Sequence, residues 1–134
     1  MIDPYLFAKH AGYAHGTTAP APPGSRVVSV AGQIGWDPVS RAFEALDMAS
    51  QTERALANVI AVLEAAGARP ENVVRMTWYV TDRQAYLDAR AAIGDAWRRR
   101  FGRWYPAMTV VVVAGLLEPR ALVEIDATAI VPAP

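Results

Sequence analysis

The chain has 134 residues, 53% hydrophobic and 19% charged, which suits one domain with its own core and excludes a disordered segment. Thirteen basic and thirteen acidic side chains cancel, against sequence-independent nucleic-acid binding, and the lack of cysteine excludes disulfides, thiol chemistry and thiolate-bound zinc. MIDPYLFAKH has no signal-peptide pattern and AMTVVVVAGLL is too short to cross a bilayer, so a soluble cytoplasmic protein without membrane association is expected.

In chain order, GYAHGTT (12–18) and RVVSVAGQIG (26–35) read as strands, separated by the Pro/Gly loop APAPPGS. Asp37-Pro38 marks a turn. Asp47 is the expected N-cap of a helix over 48–66, and Gly67 its stop. Leu56, Val59, Ile60 and Leu63 make the apolar stripe of that helix; Gln51, Glu53, Arg54, Asn58 and Glu64 make the expected wet side. NVVRMTWYVT (72–81) is β-branched and aromatic, hence a strand. Asp82 caps a second helix running to Phe101, with Tyr86, Ile93 and Trp97 on one stripe and Gly102 after it. Strands 107–114 and 121–131 complete residues 1–134 as a single domain. The order is β-β-(β)-α-β-α-β-β.

The two final strands differ. In 121–131, Glu124, Asp126 and Thr128 alternate with Val123, Ile125, Ala127 and Ala129, as a half-buried strand should. The segment 107–114 is apolar on both faces, so both faces should be covered. Two helices cover one face of such a sheet. A second copy packing sheet against sheet would cover the other, so a homo-oligomer is expected.

Glu124, flanked by Val123 and Ile125, is the candidate acid or base: partial desolvation would raise its pKa and suit proton transfer. The alternative is an edge carboxylate paired with an arginine. AGQIG (31–35) could turn backbone N–H groups toward a ligand, or be an ordinary turn. WRRRFGR (97–103) complements a helix C-terminus and lacks the interleaved aromatics of a nucleic-acid platform. His10 and His15 have no acidic ligand motif nearby, and no Ser-His-Asp order, Walker loop or GxGxxG occurs. No metal and no cofactor are expected.

GYAHG, VSVAGQIGWDP, QTERALANVIAVLEAAGA, VVRMTWYVTD, YPAMTVVVVAGL and LVEIDATAIV resemble, in order and over nearly the whole chain, the Rid family, the YjgF-like reactive-intermediate deaminases. The resemblance implies an α+β, chorismate-mutase-like fold: a mixed six-stranded sheet with two helices on one face. It also implies a homotrimer with a central barrel and small-molecule clefts between subunits. Deaminase-type members hydrolyse enamines and imines after an arginine clamps the substrate carboxylate. That arginine stands two residues after the motif proline; here Pro106 and Ala107 match and the clamp position is Met108. Tyr13, Gly32, Gln33 and the acidic Glu124 match the family's site, Ala31 replaces a serine, and Arg90 aligns with an asparagine.

These matches assign Glu124 as catalytic, with Tyr13, Gly32, Gln33, Trp36, Arg90, Tyr105, Met108, Thr109 and Val110 around the substrate. Met108, Trp36, Tyr105 and Val110 would make the cleft apolar, and a thioether in place of guanidinium removes bidentate carboxylate recognition. Arg90 would either restore a cation or pair with Glu124 or Asp126. The functions that follow are acid/base hydrolysis of an enamine- or imine-like metabolite, or a non-catalytic metabolite-binding trimer. The endoribonuclease activity named for some relatives is disfavoured by the neutral charge.

Overall fold

The computed structural model describes residues 14–134. Four strands form one mixed sheet: β1 (Arg26–Ile34), β2 (Val73–Val80), β3 (Ala107–Val112) and β4 (Val123–Val131). Their spatial order is β1-β4-β2-β3, with β4 antiparallel to both neighbours and β2 parallel to β3. Helix α1 (Met48–Ala65) joins β1 to β2 through a 3-10 turn at Pro70–Asn72; α2 (Arg83–Asp88) and α3 (Arg90–Phe101) form the crossover from β2 to β3.

The helices lie on one face, where they bury Leu56, Val59, Leu63, Ile93, Trp97 and Phe101 against Met76, Trp78, Val80, Val123, Ile125 and Ala129. Asp47 caps α1 by accepting from the Ser50 N–H at 2.8 Å, and Asp82 caps α2 by accepting from Ala85 at 2.8 Å. At the other end of α1, Gly67 takes φ 74°, which lets Ala68 donate to the Leu63 carbonyl at 2.8 Å. The alternation expected along β4 is present: Val123, Ile125, Ala127 and Ala129 are buried, while Glu124, Asp126 and Thr128 are half-buried on the other face.

Several expectations need correction. The described residues form four strands, not six. Among the described residues of GYAHGTT, Ala14 and Gly16 sit in isolated bridges, that of Ala14 parallel to Ala107, and no strand forms before the Pro/Gly loop. The second helix is divided at Ala89, so three α-helices, not two, are present among the described residues. The wet side of α1 is not all wet: Gln51 and Asn58 are buried, as is Thr52. Gln51 accepts from the Leu122 N–H at 2.7 Å and donates to the Arg120 carbonyl at 3.0 Å. Asn58 donates to the carbonyls of Ile34 and Trp36, each at 2.9 Å. These side chains are interior because loop backbone needs partners there.

The valine strand also differs from expectation. β3 is an edge strand of six residues, and Val110, Val111 and Val112 are 37%, 37% and 54% exposed. Within one chain neither face of its second half is covered.

Candidate functional site

Glu124 stands on the helix-free face of β4, opposite Ile34 of β1 and Tyr79 of β2. Its seat is made by an irregularity in β1. Val30 pairs with Ala127 and Gln33 with Ile125, so Ala31 and Gly32 together oppose the single residue Asp126. Such a bulge re-aims the strand. A Cβ on Gly32 would fall on the Glu124 carboxylate, 2.7 Å from its Cδ and 2.9 Å from its Cγ. Glycine is required here for close approach of the acid to the backbone.

Helix α1 holds both sides of this seat. Asn58 and Arg54 fix the carbonyls of Ile34 and Trp36, and Gln51 fixes residues 120–122 just before β4. Gly35 packs so tightly on α1 that a Cβ there would lie 2.6 Å from the Gln51 carbonyl oxygen. Thus Gln51 and Asn58, which periodicity assigns to solvent, position the candidate acid through the backbone.

Two shallow depressions meet at Glu124. One, of about 370 Å³, includes Gly32, Tyr79, Gly115, Leu117 and Asp126; the other, of about 380 Å³, includes Gly32, Gln33, Trp36, Leu117 and Glu118. Leu117, fully exposed, projects from the loop beside both. Among the described residues Glu124 has no hydrogen-bond or ion-pair partner. Its neighbour Asp126 accepts from the Tyr79 hydroxyl at 3.0 Å, and that bond, with the Asp126 and Glu124 charges, holds the phenol pKa above its usual 10.0.

A separate cavity of about 210 Å³ lies on the helix face, between α2, α3 and the β2–β3 edge. Met108, opposite Met76 in register, points into it together with Trp78, Tyr86, Arg90, Trp97 and Tyr105. Trp97 stacks on Phe101 at 4.3 Å between centroids and lies nearly parallel to Tyr105 at 6.2 Å. Burial pushes the Tyr86 hydroxyl above its usual pKa, an effect opposed by the Arg90 charge. Arg90 donates from Nε to the Leu87 carbonyl at 3.3 Å. It does not pair with Glu124 or Asp126.

The structure therefore divides the expected site. Gly32, Gln33 and Trp36 gather near Glu124, whereas Arg90, Tyr105 and Met108 gather in the helix-face cavity. Trp36 is not brought to Met108: its ring stands 6.0 Å from Phe43, with the Arg41 guanidinium over it. Thr109 takes the open face, beside Thr77 in register, and Val110 lies opposite Trp78 without lining the cavity. Tyr13 lies outside the described residues. Glu124 and Met108 occupy opposite faces with β2 between their strands, so one chain does not bring them together.

Sequence reasoning did not assign Trp78, Tyr86 or Trp97 to a cavity, although Tyr86 and Trp97 share the stripe that includes Arg90. The basic cluster is partly paired locally: Arg99 makes paired bonds to Glu53 at 3.1 and 2.7 Å, Arg100 lies 3.5 Å from the same carboxylate, and Arg98 pairs with Asp95. No helix among the described residues is long and apolar enough to cross a membrane.

Comparison with known proteins adds an independent line. The profile of the family described as Endoribonuclease L-PSP matches residues 8–131. RutC family protein PH0854 of Pyrococcus horikoshii is 31% identical over 124 residues, covering 92% of this chain and 94% of that protein. The 2-iminobutanoate/2-iminopropanoate deaminase of Salmonella typhimurium is 34% identical over 108 residues, 80% of each chain. The crystal structure of YyfB, a Rid-family protein of Yersinia pestis, superposes with a TM-score of 0.82 at 30% identity, covering 97% of this chain and 96% of that one.

Proposed function

The chain belongs to the Endoribonuclease L-PSP family, the YjgF/RutC/Rid group, and from that premise we propose that it hydrolyses an enamine- or imine-like small molecule at clefts between copies of itself. The observation that carries this reading is the Glu124 carboxylate, set against a glycine that no other residue could replace without displacing it. Relatives about 30% identical carry the name 2-iminobutanoate/2-iminopropanoate deaminase, which supplies the reaction class.

In this reading Glu124 takes a proton from water as its oxygen adds to the C=N carbon, then returns a proton to nitrogen. The tetrahedral adduct collapses to a carbonyl and ammonia, so that C=NH and H₂O become C=O and NH₃. Glu124 is half-buried on the polar side of β4, in line with Asp126 and Thr128, and a second copy laid over this face would shield the transferred proton from bulk water.

Copies meet through β3 and the open sheet face, as a homotrimer. The exposed valines Val110–Val112 support this, since an unpaired apolar edge is a surface that a second chain would cover. Assembly would also place the helix-face cavity of one copy next to the Glu124 seat of another, and so reunite the two halves of the site.

The test is Glu124→Gln, with ammonia or carbonyl release measured from imines generated in place by an amino-acid oxidase or a dehydratase. Turnover by the wild type and its loss in a folded Glu124→Gln protein is the expected result. Equal turnover by both proteins would overturn the assignment. Met108 favours a second reading, a binding protein without turnover, because the usual carboxylate clamp is absent; ligand binding by wild type with no product from any imine would select it. The basic cluster gives little support to a ribonuclease, since Arg98 is engaged by Asp95 and Arg99 and Arg100 share Glu53.

A further inference from the structure

We propose that the helix-face cavity binds a single-ring aromatic carboxylate, its ring against Tyr105 and Met108 and its carboxylate on Arg90. This inference rests on the cleft reading above and names the kind of molecule the cleft accepts.

Size is the first argument. A cavity of about 150 Å³ holds benzene, and this one, at about 210 Å³, has room for a ring with a short acidic arm. A three-carbon imino acid would leave much of it empty. Shape is the second. Trp78 and Trp97 are almost wholly buried, with Phe101 stacked on Trp97, so they form an apolar aromatic back wall, and the half-buried Tyr105 and Met108 stand in front of it as the surface a ring would meet. Met108 adds a polarizable thioether on the half-buried floor, a surface that also favours aromatic contact.

Charge is the third argument, and it fixes the sign and position of the polar group. Arg90 stands exposed at the mouth, at the start of α3, and has no carboxylate partner among the described residues. Its one recorded bond uses Nε, leaving the terminal nitrogens for a ligand. Arg98, the other cation of the cavity, is engaged by Asp95. The uncompensated charge is thus one guanidinium at the rim, above an apolar floor. That gradient fits a monoanion with a hydrophobic body, and Tyr86 adds a phenol beside the same cation. The indole N–H of Trp78, which forms part of the cavity wall, is buried without an acceptor. An arginine at position 108 would fill the floor; methionine there, with the cation moved to Arg90 at the mouth, opens depth for the ring.

Phenylacetate, phenylacetamide and pyruvate serve as probes, with binding read by quenching of Trp78 and Trp97 fluorescence and by calorimetry. Phenylacetate should bind saturably, about tenfold or more tighter than its neutral amide, as expected for a charge-assisted contact. It should also exceed ringless pyruvate by at least that factor. Arg90→Gln and Arg90→Met, checked for unchanged melting temperature, should abolish the preference for acid over amide, and Arg90→Lys should retain part of it. Equal binding of acid and amide, equal binding of pyruvate, no saturation by phenylacetate, or a preference unaffected in either Arg90 variant would overturn the proposal. Glu124-dependent turnover of small imines without aromatic-acid binding would remove the ligand class and leave the catalytic reading. Arg90-dependent aromatic-acid binding with turnover indifferent to Glu124 would do the reverse.

Discussion

Gly32 and Gly35 are three residues apart, and neither uses a positive φ. Alanine at either position should nevertheless have different consequences. At Gly32 the new methyl group meets the free end of Glu124, a flexible side chain. Turning that side chain out of its rotamer costs about 0.5–1.5 kcal/mol. Replacing glycine where the backbone is permissive returns about 0.4–1 kcal/mol through the unfolded chain. The two nearly cancel, so Gly32→Ala should unfold within about 1 kcal/mol of wild type. Activity should not survive so well: a displacement of about 1 Å in a reacting group is enough to cost on the order of a hundredfold.

At Gly35 the methyl meets the Gln51 carbonyl oxygen at 2.6 Å and the Gln51 Cα at 2.7 Å. Helix backbone does not rotate aside, and overpacking costs about 1–3 kcal/mol. The same shift loosens the Gln51 bonds to residues 120 and 122. Gly35→Ala should therefore lose about 3 kcal/mol, a fall in Tm on the order of 10 °C for a domain this size. Urea unfolding of both variants, with turnover measured on each folded protein, decides the matter. If Gly32→Ala is as unstable as Gly35→Ala, or is stable and fully active, the account of the Glu124 seat is wrong.

Gln51→Leu should lower stability by about 2–4 kcal/mol in urea titration, because it leaves the Leu122 N–H and Arg120 carbonyl without their partners. The Arg99 bonds, aided by the charges of Arg99 and Arg100, hold the Glu53 carboxyl below its ordinary value of 4.5. Its contribution is therefore full above pH 4.5 and disappears as pH falls through the depressed value; Tm should fall more steeply over that acid range in wild type than in Glu53→Gln. Val111→Asp should convert a sedimenting trimer to monomer, since an unpaired carboxylate would be buried by assembly; a wild type that sediments as a monomer at micromolar concentration would end the assembly reading. Met108→Arg alone would set a new guanidinium beside Arg90, on the face away from Glu124, whereas Met108→Arg with Arg90→Asn relieves the repulsion. The double variant, verified as folded, should hydrolyse imino acids faster than the single variant.

The strands and helix caps were legible because each has a local chemical signature. Alternation along Val123–Val131 identified the buried side of β4, and Asp47, Asp82 and Gly67 marked helix ends through their own hydrogen-bonding and backbone preferences. The motif strings were enough to identify the family. What sequence did not disclose were relations across the sheet. Gln51 and Asn58 look like surface residues to a helical period because polarity says nothing about which distant carbonyls need donors. The separation of Glu124 from Met108 depends on strand order and on which face each occupies. A short range of contacts can define an element; only the topology sets one strand beside another.

The strand order has a further consequence for how the protein comes into being. β4, the latest of the four strands to be synthesised, is the one on which both β1 and β2 depend for antiparallel pairing. Until it leaves the ribosome, β1 has no ladder within the sheet, and the nascent chain offers only helices and the parallel β2–β3 pair. The pairing of Arg26 with Val131 closes a loop spanning most of the chain, the kind of distant contact that slows folding. Closure of the sheet consequently waits for β4, and until it docks the valines of β3 remain open to the wrong partners. Mispairing through that open edge therefore rises with protein concentration until a single strand is in place.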